Sequence, residues 1–349
     1  MSEIDNINYP APKQEYKVLV RCFTFNQSKY IEDALNGFVM QQTNFPFVCL
    51  VMDDASIDGE QAVLKEWMGC ECDMSRAEAI NIPTSHVVIV PHKTNAYCTF
   101  AFYFLKQNLF KAYDEKMRHV TPWREKCKYE AICEGDDYWI DPLKLQKQVD
   151  FLDSNPEYGM CYSRCNYFNQ EKKQFERYGW GGPNVSFEDI IKECTVPTHT
   201  VMLRENIYRR YRKEDHTKNK GWLMGDYPMW IWFAHESRIH FMEDITSVYR
   251  VLDNSLSHSN KLYVYEKFMI STYDILSYFC NLYNCQSLLS SDRLYTALFN
   301  AAVMYGDIKK EKEYFRKIKK RNFKQRIKHI ICCNKLIYNI FASRLFYTK

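Results

Sequence analysis

Two groups of acidic residues in this sequence each follow a short apolar run. The Asp-Asp pair 53–54 follows Phe47–Met52, and Glu-Gly-Asp-Asp at 134–137 follows Tyr129–Cys133. Carboxylates gathered at one site repel each other unless a cation is present. Mg²⁺ and Mn²⁺ prefer carboxylates together with phosphate oxygens and water. These residues therefore predict a divalent-cation site for a phosphorylated ligand, although acids in such positions also cap helices and bind backbone N–H groups in turns.

An open sheet would bring the two acidic groups together. Four short apolar runs have the length of buried strands, and stretches that are or could be helical alternate with them: Val18–Cys22, Phe47–Met52, His86–Val90 and Tyr129–Cys133. Such alternation predicts parallel pairing with right-handed crossovers, and ligands then bind at the carboxyl ends of the strands. We therefore predict an α/β fold with both acidic groups in one crevice.

The end of the chain differs from the rest. From residue 262 to about 320 the pattern is wholly helical, and a polar stretch at 254–260 precedes it. We predict a catalytic domain at 1–258 and a helical C-terminal region at 259–349.

The formal net charge of +4 is unevenly distributed. Residues 309–349 contain 14 Lys and Arg but only two acids, so the remaining chain is acidic. Apolar residues recur among these bases at roughly helical spacing, which is typical of a basic amphipathic helix on an anionic membrane. A solvated face that packs on the acidic body is the alternative. We predict no nucleic-acid partner.

The 14 cysteines do not form a metal motif. There is no C-x-x-C, and the adjacent pair Cys332 and Cys333 lacks zinc-ligand spacing. The polar N-terminus carries no visible secretory signal, so we expect reduced, buried thiols in a cytoplasmic protein, with peripheral contact to the inner face of the cytoplasmic membrane through the tail. His235 and His240 are five apart, which does not fit the H-E-x-x-H zinc helix.

Six segments, in order, resemble the family 2 inverting glycosyltransferases of the kind that build bacterial surface polysaccharides. The matching segments are 18–27 (VLVRCFTFNQ), 47–59 (FVCLVMDDASIDG), 134–142 (EGDDYWIDP), 197–204 (PTHTVMLR), 225–230 (GDYPMW) and 249–251 (YRV). The sequence departs from the family pattern at Phe23, where Pro is usual, and at Glu134, which replaces the first Asp of the metal motif. The resemblance covers about residues 16–258. It implies a GT-A fold, a Rossmann-like and mostly parallel sheet flanked by helices, here with a helical C-terminal extension.

The resemblance also implies how a nucleotide-sugar donor would bind. Asp53 or Asp54 would hydrogen-bond the donor base, and Thr24 and Asn26 would lie along the nucleotide pocket. UDP-sugar is the donor that the family favours.

Three acids would then serve the diphosphate end of the donor. Asp136, helped by Glu134 or Asp137, would hold Mg²⁺ or Mn²⁺ on the diphosphate, as the family's Asp-x-Asp motif does. Asp137 would also belong to the nucleotide-sugar-binding set. The predicted acceptor is a glycan or a lipid-linked sugar.

Asp226 would be the general base for an inverting transfer, again by resemblance. It precedes Tyr-Pro-Met-Trp, which is also a normal helix start, so an ordinary N-cap is the alternative. Two other functions remain open: a sugar-phosphate nucleotidyltransferase, which should carry a Gly-rich loop where this chain has Phe23-Thr24-Phe25-Asn26, and a non-catalytic glycan-binding protein of the same fold.

Overall fold

The computed structural model describes residues 7–214, 216–217, 220–252 and 261–333. The chain divides into two compact units: Met1–His216 with Trp232–Arg250, and Thr217–Ile231 with Val251–Lys349. The predicted boundary at 258/259 lies outside the described residues, so the division into domains 1–258 and 259–349 stays a prediction. All 14 cysteines are free and ten are buried.

Within the described residues, eleven strands form one sheet. The strands are β1 (Tyr16–Thr24), β2 (Phe47–Asp53), β3 (Glu78–Ile82), β4 (Ser85–Pro91), β5 (Cys98–Leu105), β6 (Cys127–Ile132), β7 (Tyr138–Trp139), β8 (Tyr158–Asn169), β9 (Gln174–Phe175), β10 (Met202–Arg204) and β11 (Arg238–Val251). Their order is β3-β4-β5-β2-β1-β6-β10-β8-β11-β7, and β9 pairs with β8.

The described helices flank this sheet or form the second unit. They are α1 (Ile31–Val39), α2 (Glu60–Glu71), α3 (Tyr113–Arg124), α4 (Lys144–Ser154), α5 (Phe187–Lys192), α6 (Glu205–Glu214), α7 (Tyr227–Glu236), α8 (Leu262–Leu282), α9 (Ser291–Met304), α10 (Ile308–Lys317) and α11 (Phe323–Cys333).

The parallel strands occupy the centre of the sheet. β5, β2, β1 and β6 pair in parallel, whereas β4 and β10 join their outer sides antiparallel. The register places Thr24 of β1 beside Asp53 of β2, and Arg21 beside Ile132 of β6. The carboxyl ends of β1, β2 and β6 therefore meet at one edge of the sheet, where the two acidic groups were expected.

The central strands are apolar because both faces of the sheet are covered. Along β2 every residue is buried, and alternate side chains enter two different clusters. Phe47 and its alternates pack with residues of α1, α2 and α4, whereas Val48 and its alternates pack with residues of α3. Burial on both faces explains the mostly apolar runs from which the strands were predicted.

The structure contains a strand that the sequence analysis did not predict. β5 lies between β2 and β4, and it supplies the fourth parallel strand at the centre. The predicted strand at His86–Val90 is present as β4, but a hairpin partner, β3, precedes it directly instead of a helix. Its antiparallel pairing follows, because a short hairpin reverses the chain direction.

In the second unit, α9, α10 and α11 share an apolar core. Leu298, Phe299 and Ala302 of α9 pack with Tyr314 of α10 and Cys332 of α11. Among the described residues, none of the helices has both the length and the apolar content needed to cross a membrane. The predicted amphipathic tail extends beyond α11, and its residues 334–349 lie outside the described part of the chain.

Candidate active site

The acidic loop, defined as Glu134–Asp137, packs directly on the end of β1. The N–H of Gly135 donates to the carbonyl of Phe23 at 3.1 Å, and the N–H of Phe23 donates to the Glu134 carboxylate at 3.2 Å. A Cβ on residue 135 would lie 2.5 Å from the Thr24 hydroxyl oxygen. Only glycine therefore allows the acidic loop to approach β1 this closely.

The carboxylates of the acidic loop differ in their surroundings. Glu134 is partly exposed, and its second oxygen lies 3.7 Å from the guanidinium of Arg21. Asp136 is also partly exposed, and no other residue in the described ranges donates a hydrogen bond to its carboxylate. Asp136 is thus the acid of the loop that is most available to a ligand.

Asp136 is held where its negative charge is unfavourable. Burial, followed by the charges of Asp137 and Glu134, raises the pKa of Asp136 to about 7. A nearby cation would favour the ionised form. Asp136 and Glu134 are partly exposed carboxylates of one loop, and carboxylate oxygens are ligands that Mg²⁺ and Mn²⁺ prefer, so these residue types fit the predicted metal.

Asp137 is buried, and both its oxygens have partners within the protein. One oxygen accepts the N–H of Arg250 at 2.8 Å, and the other lies 3.1 Å from Nδ1 of His199. Although burial opposes the charged form of His199, the Asp137 carboxylate raises its pKa to about 10. The buried ion pair between Asp137 and His199 therefore holds the acidic loop in place. The sequence analysis predicted a nucleotide-sugar contact for Asp137 but not this structural role.

Arg250 joins the acidic loop to distant parts of the first unit. Its Nε donates to the carbonyl of Asp136 at 2.9 Å, and its terminal nitrogens donate to Asp33 of α1 at 2.6 Å and to Gln170 at 2.5 Å. The guanidinium also lies over the ring of Tyr138, 5.1 Å from its centroid. Arg250 therefore ties α1, β11 and the acidic loop together.

Thr24 and Asn26 shape the turn that follows β1. The Thr24 hydroxyl contacts the carboxylate of Glu60, a fully buried acid whose pKa is raised by burial. Asn26 adopts a left-handed backbone, with φ of 56°, and its side-chain oxygen accepts the N–H of Ile57 at 2.9 Å. A second bond, from the Asn26 N–H to the Ser56 hydroxyl at 2.9 Å, completes the contact between this turn and the turn after β2.

The neighbouring acids Asp53 and Asp54 have different partners. Asp54 is buried in an ion pair with Lys116 of α3 at 2.5 Å and also accepts the N–H of Leu109 at 2.6 Å. Asp53 accepts the side-chain amide of Gln61 at 2.6 Å. Both residues predicted to contact the donor base are buried. Asp54 is held in the core by Lys116, whereas Asp53 contacts Gln61, which lines a cleft.

This cleft has a volume of about 560 Å³ and lies beside the turn after β2, with Ser56, Gln61, Lys65, His86 and Phe104 in its wall. The rings of His86 and Phe104 are stacked, with centroids 6.1 Å apart, and Nζ of Lys65 lies 5.2 Å from the Phe104 centroid. Aromatic and cationic groups of this kind suit a planar, negatively charged ligand.

Asp226 belongs to the second unit, where it immediately precedes α7. Its carboxylate accepts the N–H of Tyr227 at 2.8 Å, and its carbonyl accepts the N–H of Trp230 at 3.1 Å. These contacts are typical of a residue at the start of a helix. They do not test the role of Asp226 as general base, which stays a prediction.

Four residues with clear roles here were not predicted as such. His199 and Arg250 lie inside segments that matched the family pattern, so their segments, but not their contacts, were visible in the sequence. Glu60 and Lys116 carried no signal, because each acts through a partner more than 30 positions away.

Comparison with known proteins adds evidence on the fold. No protein-family profile matches the chain. Uncharacterized proteins of Mycobacterium tuberculosis and Mycobacterium bovis are 31% identical over 184 residues, or 52% of this chain and 45% of theirs. The chain thus spans about half the length of these curated relatives.

Two solved structures are similar to the chain over more of its length. The mannosyltransferase PcManGT from Pyrobaculum calidifontis, in complex with GDP-Man and Mn²⁺, has a TM-score of 0.51 at 13% identity over 96% of this chain and 89% of that one. S. aureus TarS 1–349 covers 86% of this chain and 90% of its own, at 13% identity and a TM-score of 0.48. The predicted fold class, a GT-A α/β fold with a helical C-terminal region, is confirmed.

Proposed function

We propose that the chain is an inverting glycosyltransferase that moves a sugar from a nucleotide-diphosphate donor, a UDP-sugar, to a glycan or lipid-linked acceptor in cell-surface polysaccharide synthesis. The observation that carries the proposal is the acidic loop: Asp136 stands partly exposed at the carboxyl end of β6, packed against the turn after β1. In an open α/β sheet, this edge is where ligands bind.

The comparison with PcManGT supports the donor class. That structure holds GDP-Man and Mn²⁺, a nucleotide sugar together with a divalent cation. The carboxylates of this chain provide the corresponding ligand chemistry, and the cleft beside Asp53 suits a nucleobase.

In the proposed transfer, different residues of the chain would bind different parts of the donor. Asp136 and Glu134 would hold Mg²⁺ or Mn²⁺, which when bound offsets the negative charge of the diphosphate leaving group. Asp53, with Gln61 and the aromatic cleft, would receive the base, and Asp137 would keep the acidic loop in place.

Asp226 would act on the acceptor. Inversion requires one in-line attack on the anomeric carbon, and the attacking hydroxyl is a poor nucleophile while it keeps its proton. A carboxylate that takes this proton in the transition state typically contributes about 10²–10⁴-fold in rate.

Two other functions are less well supported. A nucleotidyltransferase would need a Gly-rich phosphate loop after β1, where this chain has a turn built on Thr24 and Asn26. A non-catalytic glycan-binding protein would not need a partly exposed carboxylate at Asp136. We place the enzyme in the cytoplasm, with α11 and the tail in peripheral contact with the inner face of the cytoplasmic membrane.

A donor-hydrolysis screen across UDP-, GDP- and TDP-sugars, with Mg²⁺ and with Mn²⁺, tests the proposal. We expect slow hydrolysis of one donor class, loss of this activity in excess EDTA, and loss in Asp136→Asn. Asp150→Asn is the matched control, because Asp150 is an exposed acid on α4 whose side chain contacts Gln146. Full turnover in excess EDTA, or by Asp136→Asn, would contradict the metal-dependent mechanism.

A further inference from the structure

Three potential metal ligands meet in the second unit. Glu311 lies on α10, and His329 and Cys333 lie on α11. One ligand atom from each residue can be chosen so that all three atoms lie within 4.8 Å of one another. A carboxylate, an imidazole and a thiol are the ligand types that zinc accepts.

The spacing of the ligand atoms suits a single ion. His329 and Cys333 are four residues apart and so lie on one face of α11. The thiol sulfur lies 3.8 Å from Nε2 and 3.9 Å from Nδ1 of His329, and Nδ1 lies 2.7 Å from the Glu311 carboxylate. With bonds of about 2.0–2.3 Å, tetrahedral zinc holds its ligand atoms roughly 3.3–3.8 Å apart. To bind zinc, the imidazole of His329 and the carboxylate of Glu311 would have to move apart from 2.7 Å to roughly 3.3 Å.

A buried oxygen points independently to a ligand. The Glu311 side chain is almost fully buried, and its Oε2 has no hydrogen-bond partner in the described part of the chain. A buried carboxylate oxygen without a donor is unfavourable. A cation bound at this position would satisfy it.

The site is both preorganised and accessible. Phe315 stacks on the imidazole of His329, with centroids 3.9 Å apart and planes at 9°, which fixes the orientation of the ring. The His329 side chain is 27% exposed and Cys333 is exposed, so an ion can enter from solvent.

We propose that Glu311, His329 and Cys333 bind one zinc ion, with water as the fourth ligand, and that the ion ties the carboxyl end of α11 to α10. The thiol releases its proton when it binds zinc, because the thiolate is the ligand. The sequence did not reveal this site, because the third ligand is a glutamate on a different helix. Cys332, the neighbour of Cys333, is buried in the apolar core and takes no part.

Zinc binding can be measured without any activity assay. We expect the full-length protein, incubated with ZnCl₂ and desalted, to retain about one zinc per chain, and zinc to raise its melting temperature. X-ray absorption should show one sulfur at about 2.3 Å with nitrogen and oxygen at about 2.0–2.2 Å. Cys333→Ser and Glu311→Gln should each weaken zinc binding at least tenfold and reduce the thermal shift.

Two controls separate this site from other ligands. Cys70→Ser removes another exposed thiol and should leave zinc binding unchanged. Asp136→Asn alters the acidic loop and should also retain zinc, so this result does not depend on the proposed transferase activity. Equal zinc binding by the wild type and Cys333→Ser, or an absorption spectrum without sulfur, would overturn the proposal.

Discussion

At the scale of single residues, Asp53 and Asp54 show how adjacent acids can take different roles. Asp54 forms a buried ion pair with Lys116, so its charge is compensated inside the protein. Asp53 faces Gln61, which lines the cleft. Their sequence neighbourhood is the same, but Asp54 contacts α3 whereas Asp53 contacts α2.

We expect Asp54→Asn to destabilise the fold rather than to alter donor binding. Removing one partner of a buried ion pair leaves the other charge uncompensated, at a cost of about 3–5 kcal/mol. Chemical denaturation of the variant measures this loss. The double variant Asp54→Asn with Lys116→Met should recover part of it, because the unpaired cation is then absent.

Asp53→Asn is the matched comparison for donor binding. It should keep most of the stability and weaken donor affinity, as measured by calorimetry with the nucleotide found in the hydrolysis screen. If Asp54→Asn is as stable as the wild type but no longer binds the donor, the assignment of the two aspartates is reversed.

Asp226→Asn tests the proposed general base. Asn caps a helix about as well as Asp but cannot accept a proton. We expect a folded protein that still binds donor, with the transfer rate reduced about 10²–10⁴-fold. Near-normal transfer would instead support the capping role alone and would direct attention to Glu243 or Asp244 as the base.

At the scale of elements, the site depends on how closely the acidic loop approaches β1. We expect Gly135→Ala to displace this loop, because the added Cβ would lie 2.5 Å from the Thr24 hydroxyl oxygen. Overpacking of this kind typically costs about 1–3 kcal/mol. Donor hydrolysis should fall at least tenfold although every predicted metal ligand is retained.

The control for this prediction is another glycine. A Cβ at Gly69 of α2 would meet nothing within 4 Å, so Gly69→Ala should keep full activity. Unchanged hydrolysis by Gly135→Ala would show that the close approach of the acidic loop is not needed for function.

The elements also show what the sequence could and could not predict. β1, β2 and β6 were predictable because they are short, mostly apolar and followed by polar turns. β5 was missed because an aromatic-rich apolar run such as Cys98–Leu105 does not distinguish a strand from a buried helix by periodicity.

The hydrogen-bond and ion-pair partners of the site residues could not be predicted from sequence patterns, for a different reason. Asp136 and Asp53 were predicted as site residues from local motifs. The ion pair between His199 and Asp137 and the hydrogen bond from the Thr24 hydroxyl to Glu60 exist only after distant segments have packed together. No local pattern in a single sequence encodes such pairs.

At the scale of the whole molecule, the excess of basic residues at the end of the chain favours a charged surface as partner. Within this region, α11 presents Phe323, Ile327 and Ile330 to solvent on one face, with Lys and Arg between them. Such a face can enter a lipid headgroup layer while the bases contact anionic phosphates.

We expect the full-length protein to bind phosphatidylglycerol vesicles at low salt and to dissociate as salt increases. Phe323→Ser combined with Ile330→Ser should weaken binding at least tenfold in vesicle co-sedimentation, because both side chains lose apolar contact. Phe110→Ser is the matched control, since Phe110 is an equally exposed aromatic in the first unit. Absence of vesicle binding at low salt would contradict the membrane proposal.

The contacts of Arg250 have a consequence for synthesis on the ribosome. Arg250 lies 114 positions after Asp136, whose carbonyl it contacts, and 217 positions after Asp33, whose carboxylate it contacts. The parallel strands at the centre of the sheet are all translated before residue 133, but the acidic loop acquires its last restraint only when β11 has emerged. We therefore expect a chain that ends before Arg250 to lack the contacts that this residue makes with the acidic loop.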